Sequence, residues 1–295
     1  LITELKAQKK ILDHTAYDSW QFIKNQSISN DGKWITYALE KNSISDPLIK
    51  LSDFEGSEVL TYPRGQNPKF SFDSNHLFFK IQPAIHEVNE LKRIKTREED
   101  LPLDTLSIYN VNTQTLTKIP YLISYKIPEK WSDWLVYQHK TPRDTLLKKA
   151  KKLSKKTGYE LNIQNLIDTA HYKYPFVKEY ILSKKGGKIA FTSSGDDGEF
   201  QSGVYVFDTQ KQSIQSIYVS KGIFKSLKWD EAGQQLSFVS DLDTTQSLNR
   251  YFNLHLWSIG DDTAKTILTA RDEFLEKTYL ISEHTPLAFS KNGSL

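Results

Sequence analysis

Apolar and polar residues alternate in short segments of this chain, and each segment follows a polar turn. In "SISNDGKWITYAL", Ser27–Leu39, the turn Asn30-Asp31-Gly32 precedes residues that point alternately to two faces. A period of two predicts a β-strand with one buried face, and glycine supplies the positive φ that a tight turn needs. The segment therefore predicts a turn followed by a strand.

The same phrase recurs along the chain. Its template is Ser, any residue, Asp, Gly, two variable residues, then an apolar residue, any residue and an aromatic residue. Six copies begin, the third being the weakest, at Ser29, Ser71, Glu129, Ser183, Asp230 and Ser290. Successive copies are separated by 42, 58, 54, 47 and 60 residues. Repeats of this kind, with a period slightly above 40 residues, are typical of propeller blades.

Further strands are predicted after the first strand of a copy. The second strands are Pro47–Phe54, Thr105–Thr113, Tyr159–Leu166, Gly203–Thr209 and Phe252–Ile259. Third strands include Gln114–Ile119 and Gln212–Val219. One blade cannot bury both faces of its sheet, so neighbouring blades must stack. A β-sandwich is the alternative, but it does not predict the same turn phrase recurring in register.

The predicted fold class is all-β, a β-propeller of four-stranded antiparallel blades. We expect a lead-in arm over residues 1–25 and a propeller portion over residues 26–295, with about five blades and the start of another. The last copy, Ala288–Leu295, stops before its strand is complete, which predicts that the propeller is incomplete in this chain. An open ring would leave sheet edges exposed and favour self-association.

Three segments do not follow the repeat. In the lead-in arm, the aromatic residues Tyr17, Trp20 and Phe22 are predicted to be core or blade-packing residues. Aromatic residues at such spacing can also bind a ligand, but packing is their commoner fate. Charged insertions near residues 84–101 and 141–157 are predicted to connect two strands of a blade through solvent.

The second insertion concentrates positive charge. Its lysines are Lys148, Lys149, Lys151, Lys152, Lys155 and Lys156. They suggest either an anionic partner such as nucleic acid or a solvated loop. No aromatic residue interleaves them to stack on a base, which favours the solvated loop.

Composition excludes several classes of function. Lys and Arg number 39 and Asp and Glu 36, a net charge of +3, so the chain is too balanced to indicate nucleic acid as a partner. The absence of Cys excludes disulfides, thiolate metal sites and a Cys nucleophile. No run of about 18 apolar residues occurs, which predicts no membrane span, and the sequence starts at Leu1 without a signal-peptide pattern.

No catalytic, cofactor-binding or metal-binding residue is predicted, and no cofactor. The seven His form no H-E-x-x-H motif, and G-x-S-x-G, G-x-x-x-x-G-K-[ST] and G-x-G-x-x-G are all absent. The segment "SSGDDGEF" carries Asp196, Asp197 and Glu199 and suggests a calcium loop. It lacks the ligand spacing of an EF-hand, so an inter-strand turn is the favoured interpretation.

The repeats resemble a known family. "SNDGKWITY", "SKKGGKIAF" and "FSKNGSL" are similar to the WD40-like blades of TolB-type propellers and of the N-terminal propeller of prolyl oligopeptidase family (S9) serine peptidases. The segments Lys9–Leu39 and Lys126–Gln138 are most similar to exported S9 peptidases of Bacteroidetes-type bacteria. The resemblance covers nearly the whole chain, and its strength lies in the order of the motifs.

The resemblance implies a function for the parent protein. In such peptidases the propeller precedes an α/β-hydrolase domain, which carries the Ser, Asp and His, and it limits access to short peptides. We therefore expect a non-catalytic propeller of an exported, periplasmic or extracellular peptidase, with the hydrolase domain and short peptide substrates as partners. A free-standing TolB-like propeller that binds proteins is the alternative, and a carbohydrate-active propeller enzyme is a third.

Overall fold

The computed structural model describes residues 14–17, 20–41, 45–140, 158–195, 200–243, 245, 250–269, 272, 280–284, 286–291 and 293. The lysine-rich insertion at 141–157 and the candidate calcium ligands Asp196, Asp197 and Glu199 lie outside these residues. The chain divides into two compact units, Leu1–Phe70 with Ser74–Ile119, and Ser71–Asp73 with Pro120–Leu295.

The first unit contains two four-stranded antiparallel sheets. A short helix, α1 (His14–Tyr17), precedes the first sheet. In chain order the strands of the first sheet are β1 (Gln21–Ile28), β2 (Trp34–Lys41), β3 (Leu48–Asp53) and β4 (Glu58–Pro63). The strands of the second are β5 (Gly65–Phe70), β6 (His76–Ile81), β7 (Thr105–Asn110) and β8 (Thr115–Ile119). Each strand pairs with the next along the chain, so both sheets are meanders.

The charged segment 84–101 leaves the second sheet between β6 and β7. It contains α2 (Ile85–Arg93) and a 3-10 helix (Glu98–Asp100), and neither has a buried residue. The Asp46 carboxylate accepts a hydrogen bond from the Ile85 backbone N–H at 3.1 Å. One side-chain contact thus holds the start of α2.

The second unit contains a seven-stranded and a four-stranded antiparallel sheet. The strands of the larger sheet are β9 (Leu122–Lys126), β10 (Trp134–His139), β11 (Tyr159–Asn165), β12 (His171–Leu182), β13 (Lys188–Ser193), β14 (Gly203–Asp208) and β15 (Ser213–Val219). Those of the smaller sheet are β16 (Ile223–Trp229), β17 (Gln235–Asp241), β18 (Asn253–Ser258) and β19 (Lys265–Leu268).

The larger sheet consists of two four-stranded meanders that share β12. The first part of this 12-residue strand pairs with β11, and the second part pairs with β13. Val177 lies at the change and has a partner on each side, Tyr159 and Ser193. With β12 counted in both, the described residues form five four-stranded meanders, as predicted for propeller blades.

Three clusters of buried residues form the core of the described part of the chain. One lies in the first unit, among strands β2, β3, β6 and β7, and includes Ile49, Leu77 and Phe79. The other two lie in the second unit, on the two faces of the β12–β15 meander. Ile189 and Phe191 face one cluster, while Ala190 between them faces the other. The period-two alternation therefore buries both faces of this meander, as stacked blades require.

The repeated turn has a common geometry built on its first residue. The backbone N–H of Ser183 donates to the Lys188 carbonyl at 2.8 Å, and the Lys188 N–H donates back to the Ser183 hydroxyl at 2.9 Å. Asp230 and Gln235 make the same pair of bonds, with a carboxylate oxygen in place of the hydroxyl. Both anchor residues are buried. The Ser or Asp of the template is thus the residue that closes the turn.

The structure confirms the predicted fold class but corrects two predictions about strands and packing. The sequence prediction missed the strand that precedes each turn, namely β1, β5, β9, β12 and β16. The prediction that Tyr17, Trp20 and Phe22 pack in the core is wrong, since they are 46%, 46% and 45% exposed. Strand β1 begins at Gln21, inside the segment expected to be an arm.

The start of the sixth copy has the same turn as the earlier copies. The Gly293 N–H donates to the Ser290 carbonyl at 3.0 Å, the same bond that Gly32 and Gly233 make to Ser29 and Asp230. Residues 286–291 and 293 contain no strand.

Candidate functional site

A cleft in the second unit is the candidate functional site. It has a volume of about 450 Å³ and lies where β16 packs against β12 and β13. Its lining includes Lys178, Glu179, Thr192, Ser193, Ile223, Phe224 and Lys225. Small-molecule sites commonly have volumes of about 300–1,000 Å³, so the cleft is large enough for a small ligand.

A carboxylate bonded to backbone amides forms one wall. Glu179 on β12 accepts hydrogen bonds from the N–H groups of Ser226 at 2.9 Å and Leu227 at 3.0 Å, one on each oxygen. Ser226 lies at a β-bulge of β16 with φ of 58°, a left-handed conformation that turns consecutive N–H groups toward one acceptor. Glu179 thus ties the two sheets together at the cleft.

Burial and neighbouring charges set the ionisation of this wall. Burial raises the pKa of Glu179, and the two backbone hydrogen bonds and the Lys126 and Lys225 ammonium groups oppose that shift. Burial also lowers the pKa of Lys126, against the attraction of Glu179. Lys126 donates to the Tyr180 carbonyl at 2.8 Å. The two groups therefore partly compensate each other's desolvation.

The floor of the cleft carries a hydroxyl group without a partner. Thr192 on β13 is directly opposite Glu179 in the β12–β13 register and is only 2% exposed. Its Oγ1 makes no hydrogen bond. The neighbouring Ser193 hydroxyl, by contrast, donates to the Pro175 carbonyl at 3.1 Å. A buried hydroxyl without a partner costs free energy, and such groups in native proteins call for an explanation.

The rim combines positive charge and apolar surface. Lys178 and Lys225 are exposed and lie on the facing strands β12 and β16. Lys225 forms an ion pair with Glu283. Ile223 and Phe224 supply the apolar part of the wall.

One Ser–His pair has the spacing of a nucleophile and its base. The Ser240 hydroxyl lies 2.7 Å from His255 Nε2, and Thr266 Oγ1 lies 3.2 Å from His255 Nδ1. Ser240 and His255 are both fully buried. Burial lowers the His255 pKa to about 4, and its ring stacks on Phe238. A pair that no substrate reaches stabilises the sheet β16–β19 instead of forming a catalytic site.

No residue was predicted for the cleft from the sequence. At Glu179 and Thr192 the sequence shows only the alternating pattern of a β-strand. Nothing in the sequence indicates that these residues lie next to β16. A weak signal for the bulge exists: Asn25, Asn67 and Ser226 each stand four residues before a turn anchor and each has a positive φ. The position therefore recurs in three blades, and Asn is a residue type that tolerates it.

The described part of the chain has neither a metal-binding cluster nor a membrane-spanning helix. Within the described residues, no group of three or more His, Cys, Asp and Glu is arranged to hold a metal ion. Among the same residues, no helix is long and apolar enough to cross a membrane.

Comparisons with known proteins give structural neighbours alone. No family model and no curated protein matches the chain. Among solved structures, the propeller domain of the Trilobed protease from Pyrococcus furiosus matches at 12% identity and TM-score 0.42, over 84% of this chain and 72% of that chain. TolB from Acinetobacter baumannii matches at 14% identity and TM-score 0.36, over 83% of this chain and 53% of TolB. An oligogalacturonate lyase from Vibrio parahaemolyticus matches at 12% identity and TM-score 0.46, over 93% of this chain and 70% of the lyase.

The neighbours also include prolyl endopeptidases and acylaminoacyl peptidases, of which the chain spans 40% to 42% of the length. Identities and TM-scores at this level give no argument about activity. The register of the antiparallel strands within the meanders defines the fold.

Proposed function

We propose that the chain is the N-terminal propeller portion of an exported S9-type serine peptidase. In this role the propeller itself catalyses no covalent step. It docks short peptides and limits access to an α/β-hydrolase domain of the same parent protein, which acts in the periplasm or outside the cell.

The observation that carries this proposal is the recurrence of one blade unit. The buried Ser or Asp anchor and the meander after it recur in the order, and with the charged insertions, that the sequence shares with peptidase propellers. A repeated scaffold with a small cleft fits a docking role, and the Ser–His pair of Ser240 and His255 is inaccessible to any substrate.

The test compares this chain with a longer product of its reading frame. We expect the frame to continue into a domain with a G-x-S-x-G motif after a strand, and the longer protein to hydrolyse short peptides until a serine-directed inhibitor is added. Replacing the motif's Ser by Ala is the matched control. A stop codon after one or two further blades, or inhibitor-sensitive turnover by the 295-residue chain alone, would contradict the proposal.

A free-standing TolB-like binding propeller is the second candidate. The observation that favours it is the α2 segment, which has no buried residue and ends next to Ile94, a side chain 72% exposed. An exposed charged helix beside an apolar residue suits contact with another protein. Two results together would support this candidate. The reading frame would end after one or two further blades, and replacing residues 84–101 would abolish binding of a protein partner.

A further inference from the structure

The first sheet, made of β1 to β4, packs on the second sheet through only one of its faces. Ala38, Ile49 and Leu51 lie on that inner face, in one cluster with Leu77 and Phe79 of β6. The strand registers place the residues between them on the other face, called the outer face from here on. Six apolar or aromatic residues lie there, and none of them is buried: Ile23, Ile28, Ile35, Tyr37, Leu39 and Leu48.

Strand β2 has the composition of a strand that is buried on both faces. Within residues 34–39 every residue except Thr36 is apolar or aromatic. The same holds for residues 204–207 of β14, and all four of those are buried. In β2, by contrast, only the inner-face positions Thr36 and Ala38 are buried. A continuous apolar run is typical of a strand covered on both sides, so the sequence of β2 suits a second covering layer.

The apolar residues of the outer face form a continuous surface. Ile23, Leu39 and Leu48 are register partners on three adjacent strands, so their side chains form one row across the sheet. Ile28 and Ile35 are partners farther along β1 and β2. Ile23 is 61% exposed and Ile28 is 63% exposed. An exposed apolar surface of this kind marks a site of contact with another protein.

Charge on the outer face is balanced within the face. Lys50 forms an ion pair with Glu58, which also accepts a hydrogen bond from the Thr61 hydroxyl. Lys41, the remaining charged residue in these registers, lies at the end of β2 and is exposed at the rim. The centre of the face therefore has no excess charge that would select a partner of opposite sign. It can meet an identical face without repulsion between like charges.

The size of the outer face is sufficient for a weak dimer. Four strands spaced by about 4.8 Å, each of about seven residues with a rise of about 3.3 Å, give a face of about 19 by 23 Å. Two such faces in contact cover about 900 Å² in projection, and more as accessible surface because side chains are not flat. Specific interfaces bury at least about 1,000 Å² in total, so two copies reach the lower end of that range.

We propose that the outer face of the first sheet binds the same face of a second copy of this chain. The contact is two-fold symmetric, with the two sheets face to face about 10 Å apart and the row of Ile23, Leu39 and Leu48 inside it. The free edge of β1 does not make the contact, because the bulge at Asn25 interrupts its backbone pairing groups. This inference does not depend on the proposed function.

The first test is the mass of the 295-residue chain in solution. In sedimentation equilibrium we expect the mass to rise from 34.1 kDa toward twice that value as concentration increases, with a Kd of about 1–100 μM. A monomer at every concentration up to about 500 μM would overturn the proposal. An open-ended series of larger species would also overturn it, because such a series requires a head-to-tail contact.

The second test places a charge on the outer face. Ile23→Lys and Ile28→Lys should each weaken the dimer by at least about tenfold, because the contact would bury an ammonium group in each copy. Both side chains are mostly exposed in one copy, so each variant should keep the thermal midpoint of the monomer. Ile94→Lys is the matched control, since Ile94 is 72% exposed and lies next to α2, away from the outer face. Equal weakening by Ile94→Lys would mean non-specific association and would refute the proposed contact.

The dependence on salt separates an apolar contact from a charged one. We expect the Kd of the dimer to change by less than about threefold between about 0.05 and about 0.5 M sodium chloride, because the ion pair of Lys50 and Glu58 lies within one copy. An association driven by charges between the copies would weaken steeply over that range. Weakening of about tenfold or more would therefore contradict the apolar contact.

A longer product of the reading frame distinguishes a second copy from a further blade as the occupant of the outer face. We expect the longer product to dimerise as well, and Ile23→Lys to dissociate it. A longer product that is a monomer would mean that a further blade covers the face, and would overturn the second copy as its occupant. This result is separate from the test of the proposed function, because it is obtained whether or not the longer product hydrolyses peptides.

Discussion

Asp230 shows how one residue position determines a turn of the repeat. Its carboxylate accepts the N–H groups of Gln234 at 2.7 Å and Gln235 at 2.9 Å, and its own N–H donates to the Gln235 carbonyl. In another blade, Ser183 accepts one N–H with a hydroxyl. What the position requires is a short side chain with an acceptor oxygen, which is why Ser or Asp occupies it in five of the six copies.

This requirement predicts the effect of two substitutions. Asp230→Ala removes the acceptor of two backbone N–H groups and should lower the free energy of unfolding by about 2 kcal/mol. Asp230→Ser should recover much of that loss, because a hydroxyl does the same work at Ser183. Urea denaturation measures both variants. An equal loss in both would show that the negative charge, and not the acceptor geometry, is what matters.

His255 predicts a pH dependence of stability. Its pKa is about 4 in the folded chain, against 6.5 for the ordinary group, because the imidazole is buried. Between these values the unfolded chain binds a proton that the folded chain does not, so stability falls as pH drops from about 6.5 through about 4. His255→Asn does not titrate there. We expect it to be less stable at pH 7 and the gap to wild type to narrow at pH 4–5; a gap that stays constant would contradict this.

At the scale of the element, the bulge of β16 depends on a residue from another strand. Without Glu179, the N–H groups of Ser226 and Leu227 lose their acceptor, and Lys126 loses a neighbouring opposite charge. Strand β16 is thus held both by its own sheet and by β12.

We expect Glu179→Ala to lower the free energy of unfolding by about 2–3 kcal/mol, the cost of leaving buried polar groups unpaired. Hydrogen exchange of the Ser226 and Leu227 amides should become faster. Glu160→Ala, which breaks an exposed ion pair to Lys173, is the control and should change little. Unchanged protection at the two amides would refute the tethering role.

The connection between β6 and β7 should be dispensable for the sheet. Because α2 buries no residue, replacing residues 85–100 by a four-residue turn of Gly and Asn should change the free energy of unfolding by no more than about 1 kcal/mol. Thermal unfolding of the two proteins checks this. Loss of a cooperative transition would mean that the segment supports the sheet after all.

Sequence patterns predicted some strands and missed others for a physical reason. A strand after the turn, such as β2, alternates in burial, and the glycine turn at Gly32 marks where it begins. Strands before the turn carry a bulge, at Asn25 in β1, Asn67 in β5 and Ser226 in β16, which breaks the period of two. The cleft could not be predicted for a different reason. It lies between β12 and β16, which belong to different sheets, and only the tertiary packing of the two sheets brings these strands together.

At the scale of the whole molecule, the core of each unit contains no sulfur. The chain has neither Cys nor Met among its 295 residues. Its stability therefore depends on packing, hydrogen bonds and backbone pairing, with no contribution from disulfides or sulfur ligands.

This composition predicts resistance to redox conditions. The midpoint of thermal unfolding should be the same with and without a thiol reductant. Mild peroxide treatment, which oxidises Met and Cys, should leave the intact mass of this chain at 34.1 kDa. A mass increase in steps of one oxygen, or a shift of the midpoint on reduction, would contradict the prediction.

Strand β12 limits how this protein can gain or lose repeats in evolution. Between β4 and β5 a single residue, Arg64, separates two meanders, and a short connection separates β15 from β16. A duplication or deletion with its boundary at one of these connections adds or removes a complete meander. A cut between the meanders on either side of Val177 divides a continuous strand, and an insertion of one residue reverses the facing of every side chain beyond it. These two meanders are therefore inherited as a pair.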